Sequence, residues 1–489
     1  MNLADIISRH AAAAPHAVAV IERGRVIDYR GFERAIWRAA AWLRAQGISP
    51  GDVVAVTLGS STLHLVVGYA LARIGAVQLG LTLREPRAVR QEMAARYGAR
   101  LVIGEADEAR LAGLPTLLPD VKWLEPGDDV ADESLRAPGG DAPWRIVFTS
   151  GTTAAPKAVL QSHAMHIAWR DINQGAMPLA PADRFLAVVE LDFFSGFRLC
   201  MDVFWAGASV VAGAALATPQ DLFDTVERHD VTYLYLTPSH LHRLLASLPP
   251  DEPRLPGLRL LRTGAMSVAQ SLCGEIIRRL TPGLVVAYGT NDAGSPFTAA
   301  DASVLQRFPG SIGFAVPGVE LEIVDDAGRA LAPGATGLVR VRAAGMPQAY
   351  IDNPEASARA FRDGWYYPGD LGALSSEGAF YFKGRVDDMM NFDGIKIYPA
   401  DIEAALLAHP AVLEAAAFPI SDQAHQDIPV AAVVLRDASQ LEALTAHCRG
   451  LLGVRAPRFI AALQALPKNA AGKVLKRELA AALAARLRS

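Results

Sequence analysis

The 489-residue chain is 51% hydrophobic and 20% charged, and its 47 basic and 51 acidic side chains leave a net charge of −4. That composition excludes a disordered chain, which is poor in apolar residues and rich in one sign of charge. It also lacks the basic excess of a nucleic-acid binder or a polybasic membrane anchor, so the expected partners are small molecules or proteins. At roughly 100–200 residues per domain, the length suggests two to four structural units.

Three cysteines, Cys200, Cys273 and Cys448, stand far apart with no C-x-x-C pair, which argues against a cysteine zinc site or dithiol motif and for a reducing, cytoplasmic compartment. Asp5 and Arg9 interrupt the apolar start, which is wrong for a signal peptide. Two uncharged runs, 53–72 and 203–220, are broken by glycine, proline or histidine and read as buried elements, not membrane spans.

In chain order, 53–58 is a strand candidate, followed by a helix over 61–74 with Ser61 or Thr62 as its N-cap. Strands are expected at 145–149, 184–191 and 231–236, with a helix over 218–229. This alternation predicts helix-covered, mostly parallel sheets. Beyond about residue 310 the runs 319–324, 337–342 and 379–384 are short and separated by Gly, Pro and Asp, which predicts antiparallel hairpins in a small β-barrel-like subdomain. The tail predicts a small α+β domain: helices over 401–408 and 441–452, strands at 415–418 and 430–435, and a last helix striped by Leu475, Leu479, Leu483 and Leu487. A boundary near 385–387 divides the chain into 1–386, itself two or three subdomains, and a mobile 387–489.

The sharpest motif is Thr149-Ser150-Gly151-Thr152-Thr153-Ala154-Ala155-Pro156-Lys157. A strand runs into small hydroxyl residues, a glycine and a lysine, a loop whose N–H groups and cation suit a polyphosphate. It is not a Walker A loop, because Pro156 stands where that motif needs glycine and Ala158 follows the lysine.

This loop resembles the phosphate-binding signature of adenylate-forming enzymes: acyl- and aryl-CoA synthetases, peptide-synthetase adenylation domains and firefly luciferase. Ala154 and Ala158 replace two of the usual glycines. Four further resemblances follow in order. Tyr288-Gly289-Thr290-Asn291-Asp292 is similar to the family's Y-G-x-T-E, where the tyrosine stacks on adenine, the threonine contacts the α-phosphate or acyl group and the glutamate holds Mg²⁺. Here Asn291 and Asp292 stand in for the last two, and the shorter aspartate suits a water-bridged metal contact. Trp365-Tyr366-Tyr367-Pro368-Gly369-Asp370 resembles W-x-x-x-G-D, implying that Asp370 accepts both ribose hydroxyls. The segment from Gly384 to Asp388, with Gly394 to Pro399, resembles the interdomain joint: Arg385 would reach the ribose, Asp387 would be the hinge and Gly394 would line the thiol tunnel. Leu466-Pro467-Lys468-Asn469-Ala470-Ala471-Gly472-Lys473 resembles P-K-T-x-x-G-K, which makes Lys473 the cation bridging acyl carboxylate and α-phosphate.

The resemblance implies further roles. Lys473, Lys157 and Asn291 would be catalytic. Leu261 to Met266 resembles the turn lining the adenine and acyl pocket, with Gly264 and Ala265 at the nucleotide. Asp192, Phe193 and Phe194 sit where the family lines the acyl pocket; Asp192 either pairs with a substrate amine or is capped by backbone N–H groups. His163 reads as structural. The cofactors implied are ATP, Mg²⁺ and CoA or a carrier protein's phosphopantetheine. Three functions compete: an acid–CoA ligase acting as monomer or homodimer, a ligase loading an acyl carrier protein, and a nucleotide-binding protein with impaired catalysis. No G-x-S-x-G, H-E-x-x-H or EF-hand pattern is present. The acid itself is not legible.

Overall fold

The computed structural model describes residues 1–59, 61–105, 107–128, 131–149, 157–249, 254–264, 268–294, 296–393, 395–422, 426–468 and 474–487. Two large sheets dominate. The first has nine strands, in the order Phe314–Ala315, Pro296–Asp301, Leu284–Gly289, Leu260–Thr263, Tyr233–Tyr235, Arg184–Leu186, Ser209–Ala212, Val18–Glu22 and Arg25–Asp28. Its six central strands, from Leu284–Gly289 to Val18–Glu22, run parallel. The second runs Thr116–Leu117, Ala99–Gly104, Val53–Thr57, Val77–Gly80, Pro143–Thr149 and Lys157–Ser162, parallel except for the last strand. Their β-branched, near-continuously apolar strands suit sheets buried on both faces.

The largest core lies between these sheets and holds two helices, Thr62–Ile74 and Phe194–Trp205. The first is the interior of the uncharged 53–72 run. Ser61 caps it, accepting from the His64 N–H at 3.3 Å, and Gly75 ends it at φ 75°. All thirteen of its residues are buried, so its apolar character comes from lying between two sheets. Among the described residues no helix is long and apolar enough to cross a membrane. The Phe194–Trp205 helix was not anticipated. Nine of its twelve residues are buried, so it carries no amphipathic stripe to read. The strand expected over 184–191 ends at Leu186, because the chain turns back: Gly196 packs so close to Glu190 that an added Cβ would lie 2.2 Å from its carbonyl oxygen. Helices Pro219–Arg228, Pro238–Ala246 and Gln270–Arg279 cover the other face of the nine-stranded sheet.

The expected antiparallel subdomain is a six-stranded sheet built on Val319–Val324, Gly337–Ala343, Asp370–Leu374 and Phe380–Arg385. The tail is α+β. Strands Val412–Asp422 and Gln426–Leu435 form a long hairpin. Helices Pro399–Leu407 and Leu441–Leu452 pack on one face, and the last helix, Lys476–Leu487, buries Leu479 and Leu483 on the other. All three cysteines are free and buried.

Candidate active site

The 284–289, 260–263 and 233–235 strands end side by side, and open parallel sheets bind ligands at such carboxyl ends. Tyr288 and Thr290 leave this edge and meet the six-stranded sheet. Asp370 pairs in register with Arg385 on the neighbouring strand, and Arg385 Nη1 donates to Asp370 Oδ1 at 2.9 Å. The Tyr288 hydroxyl donates to Asp370 Oδ2 at 2.5 Å, while its ring stacks on Phe380 at 5.1 Å. Burial, then the neighbouring Asp370 charge, holds the Tyr288 phenol well above its ordinary pKa, so it stays a donor. Gly369 has φ 78°, and an added Cβ there would meet Arg385 Nη2 at 3.3 Å, which gives the Gly-Asp pair its physical reason.

A second carboxylate lies beside the first pair. Asp292 is buried, and its Oδ2 accepts from Tyr350 Oη at 2.5 Å and Tyr366 Oη at 3.0 Å. Thr290 Oγ1 donates to Tyr366 Oη at 3.3 Å. Lys157 Nζ stands 5.0 Å from the Tyr350 ring centroid. Burial raises the Asp292 pKa, against the tyrosine hydrogen bonds and the Lys157 and Arg385 charges. Tyr350 and Tyr366 thus join the site. Tyr366 lay inside a quoted motif, whereas Tyr350 had no signal, because its partner is far away in sequence. Tyr350→Phe leaves this carboxylate one donor short and is expected to cost about 1–3 kcal/mol, read as a lower Tm.

The other expected residues are distributed as follows. Asn291 and Gly289 are exposed at the sheet edge, and Asp387 is exposed in a single 3₁₀ turn, Val386–Asp388. Gly264 is buried so tightly against the next strand that a Cβ would lie 2.4 Å from the Ala287 carbonyl oxygen. Phe193 opens the Phe194–Trp205 helix, and Phe194 packs edge-on to Trp169 at 6.0 Å. His163 is buried, accepting from the Leu3 N–H at 3.2 Å, as a structural residue does. Thr149 closes its strand. Ser150, Gly151, Thr152, Thr153, Ala154, Ala155, Pro156, Ala265, Met266, Gly394 and Lys473 lie outside the described residues.

Asp192 has a pocket of its own. One oxygen lies 3.6 Å from His64 Nδ1, and the carboxyl is set against the Leu58 and Gly59 amides and the buried Arg145 guanidinium. Its Oδ1 is buried without a hydrogen-bond partner, so the carboxyl is capped only in part. Burial, then the Glu190 charge, pushes its pKa up to about 7, with Arg145 and the amides opposing. The folded chain therefore holds a proton that the unfolded chain has lost, so this group's contribution to stability falls as pH rises from about 4 to about 7. Asp192→Asn is expected to flatten that slope in urea unfolding measured across this window.

The Asp370–Arg385 pair, Tyr288 and the Asp292–Tyr350–Lys157 group meet where the nine-stranded sheet ends against the six-stranded one. Residues 7–351 match the family described as AMP-binding enzyme, and residues 401–473 match the AMP-binding enzyme C-terminal domain. The chain is 31% identical to the indoleacetate–CoA ligase of Aromatoleum aromaticum (strain DSM 19018 / LMG 30748 / EbN1), over 97% of each chain. It is 32% identical to the 2-succinylbenzoate–CoA ligase of Geobacillus kaustophilus (strain HTA426), covering 97% of this chain and 96% of that one. Its fold matches the o-succinylbenzoate CoA synthetase of Bacillus subtilis, solved with its acyl-adenylate intermediate, at a TM-score of 0.86 and 25% identity over 97% of each chain. The chain belongs to the AMP-binding enzyme family. It is an AMP-forming ligase of the kind that activates small carboxylic acids.

Proposed function

We propose that the chain joins a carboxylic acid to the thiol of CoA in two half-reactions, through acyl-AMP. The observation that carries this reading is the meeting of Asp370, Arg385 and Tyr288 with Asp292, Tyr350 and Lys157 at one sheet edge. In the first step a carboxylate oxygen attacks the α-phosphorus of ATP, and pyrophosphate leaves. Asp370 has lone pairs beyond those used by Tyr288 and Arg385, so it can also accept ribose hydroxyls. Lys157 and Lys473 would neutralise charge that grows in the transition state, which stabilises it selectively. Asn291, exposed at the same edge, is suited to donate to the α-phosphate or acyl oxygen. In the second step the thiolate attacks the acyl carbon and AMP leaves with its phosphate.

Magnesium would add positive charge at the phosphates. Asp292 lies within reach of the Lys157 charge, and with Oδ2 already held by two tyrosines it fits a water-bridged contact. The division at 386/387 falls between the two family matches, and Asp387 in its exposed turn is suited to be the hinge about which 387–489 swings to admit the thiol through a tunnel beside Gly394. The cytoplasm is the compartment that three buried free cysteines favour. Substrates that the named relatives carry, indoleacetate and 2-succinylbenzoate, make aryl and aryl-alkyl acids the first to try.

The test is thioester formation with CoA and with a phosphopantetheinyl carrier protein, across a panel of acids. A CoA adduct is expected. Pyrophosphate release with only carrier loading would transfer the proposal to the carrier-protein ligase.

A further inference from the structure

The chemistry proposed above gives Lys473 a role but leaves Lys468, five residues earlier, without one. Lys468 and Val474 form an antiparallel bridge, and the Leu475 N–H donates to the Pro467 carbonyl at 2.8 Å. The segment that carries Lys473 therefore leaves and returns at one place, and Lys468 marks it. The Lys468 ammonium donates to Ser239 Oγ of the body at 2.7 Å. It also donates to Glu414 Oε1 of the tail at 2.8 Å and lies 2.7 Å from Oε2. Both members of this ion pair are mostly buried.

The receiving serine lies at the site's edge. Ser239 is the second residue of the Pro238–Ala246 helix, which Thr237 caps. That helix follows the Tyr233–Tyr235 strand, whose carboxyl end lies beside those of Leu260–Thr263 and Leu284–Gly289. A helix N-terminus is electropositive and disfavours a bare ammonium. Glu414 offsets that charge and lets Lys468 reach the hydroxyl. His240, next to Ser239, adds no repulsion: burial, then the Arg243 and Lys468 charges, push its pKa down to about 4, so the imidazole is neutral at neutral pH.

The contact is also suited to break. Glu414 and Lys468 both belong to the tail and travel together. Undocking therefore leaves no bare charge on either side and exposes one serine hydroxyl to water. A neutral acceptor returned to water costs little, whereas a split buried ion pair costs far more. Lys383 and Asp401 also join body to tail, at 3.0 Å, but Lys383 lies three residues before the Val386–Asp388 turn, where rotation moves atoms least. A swing about that turn must open the Lys468 contact.

We propose that Lys468 is a positioning residue: paired with Glu414 and seated on Ser239, it fixes the base of the segment bearing Lys473 at the nucleotide edge, and so sets the share of molecules whose tail is placed to form acyl-AMP. The proposal rests on the reading that Lys473 serves the first half-reaction. Ser239 is the body's half of the seat, and Glu414 keeps the lysine charge matched whether the seat is occupied or open.

The test takes two readouts from the full chain. One is the pair of single-turnover rates, for acyl-AMP formation and for thioester formation from supplied acyl-AMP. The other is the distance between a spin label on the body and one on the tail, measured without substrates. Lys468→Met is expected to lower acyl-AMP formation about tenfold, to leave the thioester step unchanged or faster, and to shrink the docked-distance population. Ser239→Ala is expected to move both readouts the same way, by about two- to tenfold in rate. Because both variants remove the same contact, the double variant is expected to fall no further than Lys468→Met. Lys468→Arg keeps the cation and is expected to recover part of the loss. Equal loss in both half-reactions with a lower Tm, the mark of a purely structural lysine, overturns the proposal. So does an additive fall in the double variant, or a wild-type distance distribution in Lys468→Met. Absence of acyl-AMP with every acid removes the ligase reading, and the distance populations still decide whether Lys468 seats the tail.

Discussion

Lys473→Ala is expected to lower acyl-AMP formation by at least about 100-fold while leaving thioester formation from supplied acyl-AMP nearly unchanged. The reason is where charge appears. Phosphorus becomes pentavalent only in the first half-reaction, and an ammonium placed against it stabilises that transition state and not the substrates. On the proposed mechanism the tail would have swung away about the 386–388 turn in the second half-reaction, and this lysine would have no part. Lys468, earlier in the same motif, already ties the tail to the body, donating to Ser239 Oγ at 2.7 Å and to Glu414 at 2.8 Å. The check is single-turnover kinetics of each half-reaction on the same preparation. Equal loss in both would contradict the swing.

Asp370→Ala is expected to have the second-largest effect, a loss of about 100-fold or more in ATP affinity. A charge-assisted hydrogen bond to a ribose hydroxyl contributes about 1.5–3 kcal/mol, and on the proposed role of Asp370 alanine would remove two. The same change strips Arg385 and the Tyr288 hydroxyl of their acceptor, so part of the effect is on the fold. Asp370→Asn separates the two: it keeps the shape and one acceptor, and is expected to hold Tm closer to wild type while still weakening ATP. Calorimetric titration with ATP, alongside thermal melts, reads both. Unchanged ATP affinity in either variant would take Asp370 out of the nucleotide site.

The parts of this molecule that were legible in the sequence are those where local chemistry and position agree. Ser61 and Gly75 bracket a helix as caps do, and Thr218 does the same for Pro219–Arg228. The Gly369-Asp370 pair and Arg385 lie in separate motifs, and Asp370 and Arg385 are adjacent in register. What was missed has a physical cause. The Phe194–Trp205 helix is buried nearly all round because sheets press on both sides, so it had no period to detect. Tyr350 reaches Asp292 across 58 residues, a contact that no local pattern encodes. Arg198 and Arg262 carried no signal in the sequence; only the packing brings them together around Asp202. Asp192 stood open between an amine-pairing residue and a capped carboxylate, and its neighbours, His64 and Arg145, come from elements that its own segment does not announce.

The central claim is that the acid is activated by attack on the α-phosphorus, and oxygen tracing tests it most directly. A carboxylic acid labelled with ¹⁸O in its carboxyl group is turned over with ATP and thiol, and the nucleotide product is weighed by mass spectrometry. The account predicts AMP that carries one ¹⁸O, because the oxygen that attacks phosphorus leaves with it when the thiol takes the acyl group. Label in inorganic phosphate with ADP formed, or AMP without label, would contradict it.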